Sequence, residues 1–249
     1  MRKTAFVIGT GPSLNDIDMG KLKNYDCVTF NRAYIAFDDW GFVPKYYLAI
    51  DGNDIRSVYK DINKVAFKNP LSKFFILDDE RYNEMHPPDA FQNKDKKISL
   101  FDWERKNLYR IHQKNSTFGG NVSNNDAYLP VVPNAGWMGV ELLYSLGYKR
   151  VAFVGCDSRY EDNPESNKDI TKTGREYISH ADTDVNHFRP DYFGKEVHFG
   201  KPNASEILRI WKNGSETLPS DLEIISCTKN SALNLWYKYM DFEEFIKKY

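Results

Sequence analysis

Six short apolar runs recur along the chain: Thr4–Ile8, Cys27–Phe30, Tyr46–Ile50, Lys73–Leu77, Arg150–Val154 and Leu222–Ser226. Helix-length segments separate several of them. That alternation predicts parallel strands covered on both faces, an α/β fold with a mostly parallel twisted sheet. The best helical patterns are Gly136–Leu146, with Val140, Leu143 and Tyr144 on one side and Gly147 as a stop, and Ala204–Lys212 after Pro202-Asn203. Two stretches follow neither period: Asn115–Asn134, and Asp157–Lys201, which is rich in Asp, Asn, Ser, Thr, Pro and Gly. Structureless segments as long as the second usually serve as lids or stay disordered. The expectation is a single nucleotide-binding domain over 1–249, with 157–201 as a lid-like insertion. Leu233–Tyr249, which mixes aromatic residues with Lys238, Lys247 and Lys248, reads as a final helix packed on the sheet, with peripheral membrane contact as the alternative.

Composition narrows the partners. The 249 residues carry 34 basic against 35 acidic side chains with 41% hydrophobic content, which excludes both the signature of disorder and the cationic bias of a nucleic-acid binder. An anionic partner must therefore be held by local geometry. Cys27, Cys156 and Cys227 stand far apart, each in or beside an apolar run, and read as buried thiols of a reducing compartment. The first strand-like run begins at Thr4, and no later stretch approaches the length of a membrane span, so a cytoplasmic location is expected. Association into a homo-oligomer stays open.

The chemistry should lie where the strands end, because ligands of open parallel sheets bind in the crevice beyond the carboxyl ends. The first run ends in Gly9-Thr10-Gly11-Pro12-Ser13-Leu14, whose glycines let backbone approach a ligand, and Ser13 is placed to cap a helix with Asp16 three residues on. The turn lacks the third glycine of the dinucleotide fingerprint and the Gly-Lys-Ser/Thr of a P-loop, so a mononucleotide fits it better. Asn31 and Arg32, Asp51 with Asn53 and Asp54, Asp78 and Asp79, and Asp157 follow the other runs. Amides and carboxylates there suit ribose and sugar hydroxyls. His187 and His198 are candidate bases in the irregular segment, whereas His86, His112 and His180 read as surface residues. Asp182-Thr183-Asp184 has the form of a metal-binding pair of acids and reads as ordinary surface acids; no metal site is expected.

Taken in order, several blocks carry a resemblance. They are Gly9-Thr-Gly-Pro-Ser-Leu with Ile17-Asp18, Phe30-Asn31-Arg32 with Tyr34, Ala135-Gly136, Leu146-Gly-Tyr-Lys-Arg-Val-Ala-Phe-Val-Gly-Cys-Asp157, His187, and Cys227-Thr-Lys-Asn-Ser231. The chain resembles the bacterial sialyltransferases of glycosyltransferase family 42. It is also similar to glycosyltransferase-like proteins of the motility-associated-factor type, a group that includes archaeal 6-hydroxymethylpterin diphosphokinases. The segment His187-Phe-Arg-Pro-Asp-Tyr-Phe-Gly194 looks like the second branch.

The resemblance implies a Rossmann-like domain with a mobile lid, a CMP-activated sugar donor and no metal or other cofactor. Carried over, Thr10 stands where the family usually has a donor-contacting asparagine, Asn31 matches a nucleotide-site asparagine, and Asp51 lies near a second. Ala135 replaces a serine beside the donor, Gly136 is retained, and His187 falls at the catalytic base. Tyr160, shifted by one position, stands for one phosphate-binding tyrosine; Tyr177 and Tyr192 are candidates for the other. The expected reaction is sugar transfer, sialic acid or similar, from a nucleotide donor to a glycan hydroxyl. The alternatives are a magnesium-dependent pyrophosphokinase of the 6-hydroxymethylpterin type, with Asp51, Asp54 and Asp157 on the metal, and a non-catalytic nucleotide-binding module.

Overall fold

Alternation inside each apolar run decides the layering. In the first strand Ala5 and Val7 point to one face and Phe6 and Ile8 to the other, and all four are fully buried. A strand buried on both faces needs cover on both, at roughly 1.5–3 kcal/mol for each large side chain removed from water. The computed structural model describes residues 2–78, 91–92, 98–161, 176–200 and 202–249.

The strands are β1 (Thr4–Ile8), β2 (Asp26–Phe30), β3 (Tyr46–Ala49), β4 (Lys73–Leu77), β5 (Phe91–Gln92), β6 (Ile98–Ser99), β7 (Leu108–Gln113), β8 (Asn121–Ser123), β9 (Asp126–Leu129), β10 (Arg150–Val154), β11 (Glu176–Ile178), β12 (His198–Gly200), β13 (Glu223–Ser226) and β14 (Lys238–Tyr239). The α-helices are α1 (Phe37–Trp40), α2 (Gly52–Lys68), α3 (Ala135–Ser145), α4 (Ala204–Glu216) and α5 (Phe242–Lys248). Ten strands form one sheet in the order β14-β13-β10-β1-β2-β3-β4-β7-β9-β8, parallel throughout except for β8 against β9. The α/β fold expected from the pattern is the fold observed, and all six apolar runs supply strands of this sheet.

One face is covered by α2, through Ile55, Val58, Ile62 and Ala66, and by α5, whose Phe245 packs edge-on against Phe6 with ring centroids 5.2 Å apart. The other face carries α3 and α4. Their contact is tight: a Cβ on Gly214 would lie 2.1 Å from the Trp137 ring. Both predicted helices form, α4 running one turn further than the pattern suggested.

The structure corrects the reading of Asn115–Asn134 as irregular, since it contains β8 and β9. Asn124 and Asn125 have φ of 49° and 65°, the two left-handed residues of a tight hairpin turn, so the Asn-Asn pair was the local signal for it. The Asp157–Lys201 segment is not wholly irregular either: β11 and β12 pair antiparallel, with Tyr177 opposite Phe199. Leu233–Tyr249 is not one helix but a 3-10 turn at Ala232–Leu235, the short β14 and then α5. Its aromatic Phe242 and Phe245 face the core. The three cysteines are buried free thiols, as expected. Among the described residues no helix is long and apolar enough to cross a membrane.

Candidate active site

Strand order reverses between β1 and β10: the chain proceeds outward from β1 through β2, β3 and β4, and β10 and β13 lie on the other side. A crevice is expected outside the carboxyl ends of strands at such a switch. A cavity of about 390 Å³ lies there.

Its floor is backbone. Gly9 N–H donates to the Val154 carbonyl and Gly11 N–H to the Gly155 carbonyl, each at 2.8 Å, so the turns after β1 and β10 lie against one another. A Cβ on Gly9 would stand 2.3 Å from the Gly155 oxygen, and one on Gly11 would stand 1.9 Å from Asp157 Oδ2. Only glycine fits at either place.

Asp157 closes the floor. Ser13 Oγ donates to its Oδ2 at 2.7 Å. Burial holds its carboxyl above the usual range, partly opposed by the Ser13 hydroxyl and backbone. This corrects the expected role of Ser13: the turn after Gly11 is a short 3-10 helix, Pro12–Asp16, with no side-chain cap, and Ser13 bonds across to β10's turn instead.

Asn31 lines the cavity from the end of β2 with φ of 53°, a conformation that amide side chains tolerate better than most. Asp51 and Gly52 line it from the start of α2, and Ala135 and Gly136 from the start of α3, whose cap is the Asn134 side chain accepting from Trp137 N–H at 2.8 Å. Phe30, Ile50, Leu77, Ile207 and Trp211 make an apolar wall beside them. Such a wall with convergent amides and carboxylates suits a ligand with one flat apolar part and one polar part.

The remaining wall comes from beyond β10. Arg159, Tyr160, Asn186 and His187 line it. His187 Nδ1 lies 2.7 Å from Asp184 Oδ2, and its ring stacks on Tyr192 at 4.0 Å and 5°. Contacts with the segments that follow β1 and β2 tie this wall to the rest of the fold. Phe188 N–H donates to the Thr10 carbonyl at 3.0 Å, Asn15 Nδ2 to the Phe188 carbonyl at 3.0 Å, and Arg32 Nε to the Tyr192 carbonyl at 2.6 Å. Arg189 meets Asp39 at 2.7 Å. Asn186 also exchanges two hydrogen bonds with the backbone of Glu161, at 2.7 and 2.9 Å, joining the two halves of the wall.

Of the residues singled out from sequence, Gly9, Thr10, Gly11, Asn31, Asp51, Ala135, Gly136, Asp157, Tyr160 and His187 therefore surround one cavity. Others do not. Arg32 is drawn away from it by Tyr192, and Pro12 and Ser13 support the floor from behind. Asp78 faces Arg110 at 3.7 Å. Tyr192 is buried behind His187, and Tyr177 lies in β11, so neither lines the cavity as a second tyrosine. Asp182 Oδ1 accepts from Lys195 N–H and Asp184 holds His187. The side chains of Asn53, Asp54 and His198, and residues Asp79 and His86, lie outside the described residues.

Sequence reasoning missed Arg159 and Asn186, and gave Asp184 no part in the site. Arg159 was within reach, standing two residues after a strand-end acid. Asn186 has no local signal, because its partner is 25 residues away.

The fold and site can now be set beside known proteins. A solved structure of the MAf glycosyltransferase from Magnetospirillum magneticum AMB-1 aligns over 98% of this chain and 34% of its own, with 12% identity and a TM-score of 0.52. The likeness is one of fold, and this chain spans about a third of that protein's length. The sialyltransferase CstII from Campylobacter jejuni, solved with the substrate analogue CMP-3FNeuAc, aligns over 96% of this chain and 86% of its own, with 17% identity and a TM-score of 0.41. No curated protein sequence matches the chain. The model of one family matches residues 1–163, which include the glycine turn, Asn31, Asp51, α3 and Asp157, and the chain belongs to that family, described as 6-hydroxymethylpterin diphosphokinase MptE-like.

Proposed function

We propose that the chain is a glycosyltransferase that moves a sugar from a nucleoside phosphate donor, CMP-linked, to an acceptor hydroxyl, with His187 as general base. The observation that carries this reading is the meeting of His187 and the Gly9–Gly11 turn across one cavity, although they lie far apart in the chain. The fold shared with a glycosyltransferase agrees with it.

In this reading the nucleoside lies against Phe30, Ile207 and Trp211 with Asn31 on its polar edge. Its phosphate takes hydrogen bonds from the Ala135 and Gly136 amides at the start of α3, approaches the backbone of the glycine turn closely, and takes charge from Arg159. The bond from the anomeric carbon to the phosphate oxygen breaks, the acceptor oxygen bonds to that carbon, and the acceptor proton passes to His187. Fixed donors at the departing phosphate stabilise its growing charge, and holding donor and acceptor together removes much of the entropic barrier. The charge around the cavity disfavours a polyphosphate more than a single phosphodiester. Among the described residues its lining holds the carboxylates Asp51 and Asp157 against one guanidinium, so a di- or triphosphate would meet no surplus of positive charge.

Family membership favours a second reading, a pyrophosphokinase that uses ATP and magnesium. Asp51 and Asp157 are the carboxylates of the cavity that would hold magnesium, whose shell is commonly completed by substrate phosphate and water. The ion would there neutralise phosphate charge. A thermal-shift series with CMP, UDP, GDP and ATP, each with and without magnesium, separates the two. CMP near one hundred times its Kd is expected to raise Tm by about 5–10 °C with no metal. Stabilisation by ATP alone, and only with magnesium, would overturn the glycosyltransferase reading in favour of the second.

A further inference from the structure

The environment of His187 is more specific than a base at a cavity edge requires. Asp184 is the residue three positions earlier, its side chain 8% exposed. One of its oxygens accepts from Asn186 N–H at 2.8 Å, and the other lies 2.7 Å from His187 Nδ1. Asp184's own N–H donates to the Pro190 carbonyl at 2.9 Å, which pins the turn. The imidazole cannot tilt, because Tyr192 lies flat on one side of it and Phe193 meets it edge-on at 4.9 Å. Tyr192 is itself fixed, its hydroxyl accepting from Arg32 N–H and its carbonyl from Arg32 Nε.

A carboxylate only accepts, so the ring nitrogen facing it must carry the hydrogen. In the neutral ring the second nitrogen, Nε2, is then the one with a lone pair. It has no described partner, while the ring lines the cavity.

We propose that Asp184 is a positioning residue that selects the Nδ1–H tautomer of His187 and presents Nε2 as the proton acceptor. The assignment of that nitrogen's task rests on the reading of His187 as base; the selection of the tautomer does not. An Asn at position 184 can turn its amide to donate toward Nδ1, which favours the opposite tautomer and leaves Nε2 carrying a hydrogen when a lone pair is needed.

Nitrogen-15 spectra of the whole chain test the proposal, with the His187 signals identified by their loss in His187→Asn. At a pH where the ring is neutral, the expected wild-type pattern is a protonated Nδ1 and an unprotonated Nε2. Asp184→Asn is expected to mix or reverse it, and to lower kcat at least about 10-fold with the donor KM within about 2-fold. Asp184→Glu, which keeps an acceptor, is expected to restore the wild-type tautomer; it also controls for an Asn variant that fails to fold. A wild-type Nε2–H, or an Asn variant with an unchanged tautomer, would overturn the proposal. A reversed tautomer together with unchanged transfer upholds the positioning and overturns the reading of His187 as base.

Discussion

The two walls of the cavity are built in opposite ways. The sheet-end wall, from Gly9–Gly11 and Gly155–Asp157, is backbone packed on backbone at distances that admit no Cβ at Gly9 or Gly11. The opposite wall, from Arg159–Glu161 and Asn186–Tyr192, is held largely through side-chain hydrogen bonds: Asn15, Arg32 and Arg189 each bridge it to a distant segment, and Asn186 ties its two halves together. Close-packed backbone cannot yield without moving two strands, whereas a side-chain tether can open and re-form one bond at a time. The rigid wall suits the part of a ligand that must be recognised. The tethered one suits the part that must enter and leave.

The largest effect should come from the rigid wall. Gly9→Ala would drive a methyl group into the Gly155 carbonyl and cost at least about 3 kcal/mol in chemical denaturation. A loss under about 1 kcal/mol would show that the β1 and β10 turns part easily and erase the contrast. On the tethered wall, His187→Ala is expected to cut transfer by at least about 100-fold, or about 2.7 kcal/mol, with nucleotide binding retained. Unchanged turnover removes His187 from the mechanism.

An effect confined to a pH window comes from Glu141, buried in α3, the helix that supplies Ala135 and Gly136 to the cavity lining. Its carboxylate accepts from Gly119 N–H and from Trp137 Nε1 at 3.0 Å, yet burial pushes its carboxyl up to about 7. Between about pH 4.5 and 7 the folded chain keeps a proton that the unfolded chain has lost, so stability should fall as pH rises through that window, by up to about 3 kcal/mol. Glu141→Gln should lack that part of the slope. Asp157, raised for a similar reason, contributes equally to both chains and cancels in the difference. Parallel curves for the two would show that α3 is not fixed through this carboxyl.

Arg32→Ala should have the smallest effect. Losing the bond to the Tyr192 carbonyl is expected to cost about 1 kcal/mol and to speed amide exchange over 184–193 while leaving 9–13 protected. Equal loosening on both sides would mean that the walls open as one unit.

What the sequence discloses follows the same division. The glycine turn was readable because its constraint is local: two glycines after an apolar run imply close backbone, whatever they approach. Strands whose side chains are buried on both faces announce themselves as apolar runs, so the centre of the sheet was legible as well. Strands β8 and β9 were not, since an edge hairpin with half its side chains in water has a polar sequence and only its Asn124-Asn125 turn marks it. On the tethered wall His187 could be found, but its supports could not. Arg32 looked like a ligand contact because it follows a strand end, yet its guanidinium is spent on a carbonyl 160 residues away. Ser13 looked like a helix cap and reaches Asp157 instead, 144 residues on. Local pattern states what a side chain can do, and only the fold states which distant partner claims it.

The indole of Trp211 gives the molecule an optical handle of its own. Of the five tryptophans it is the one that lines the cavity, and it is 2% exposed against the apolar wall. A nucleobase resting there would quench emission from that ring by direct contact, so occupancy can be titrated by intrinsic fluorescence in unlabelled protein, before any acceptor is known.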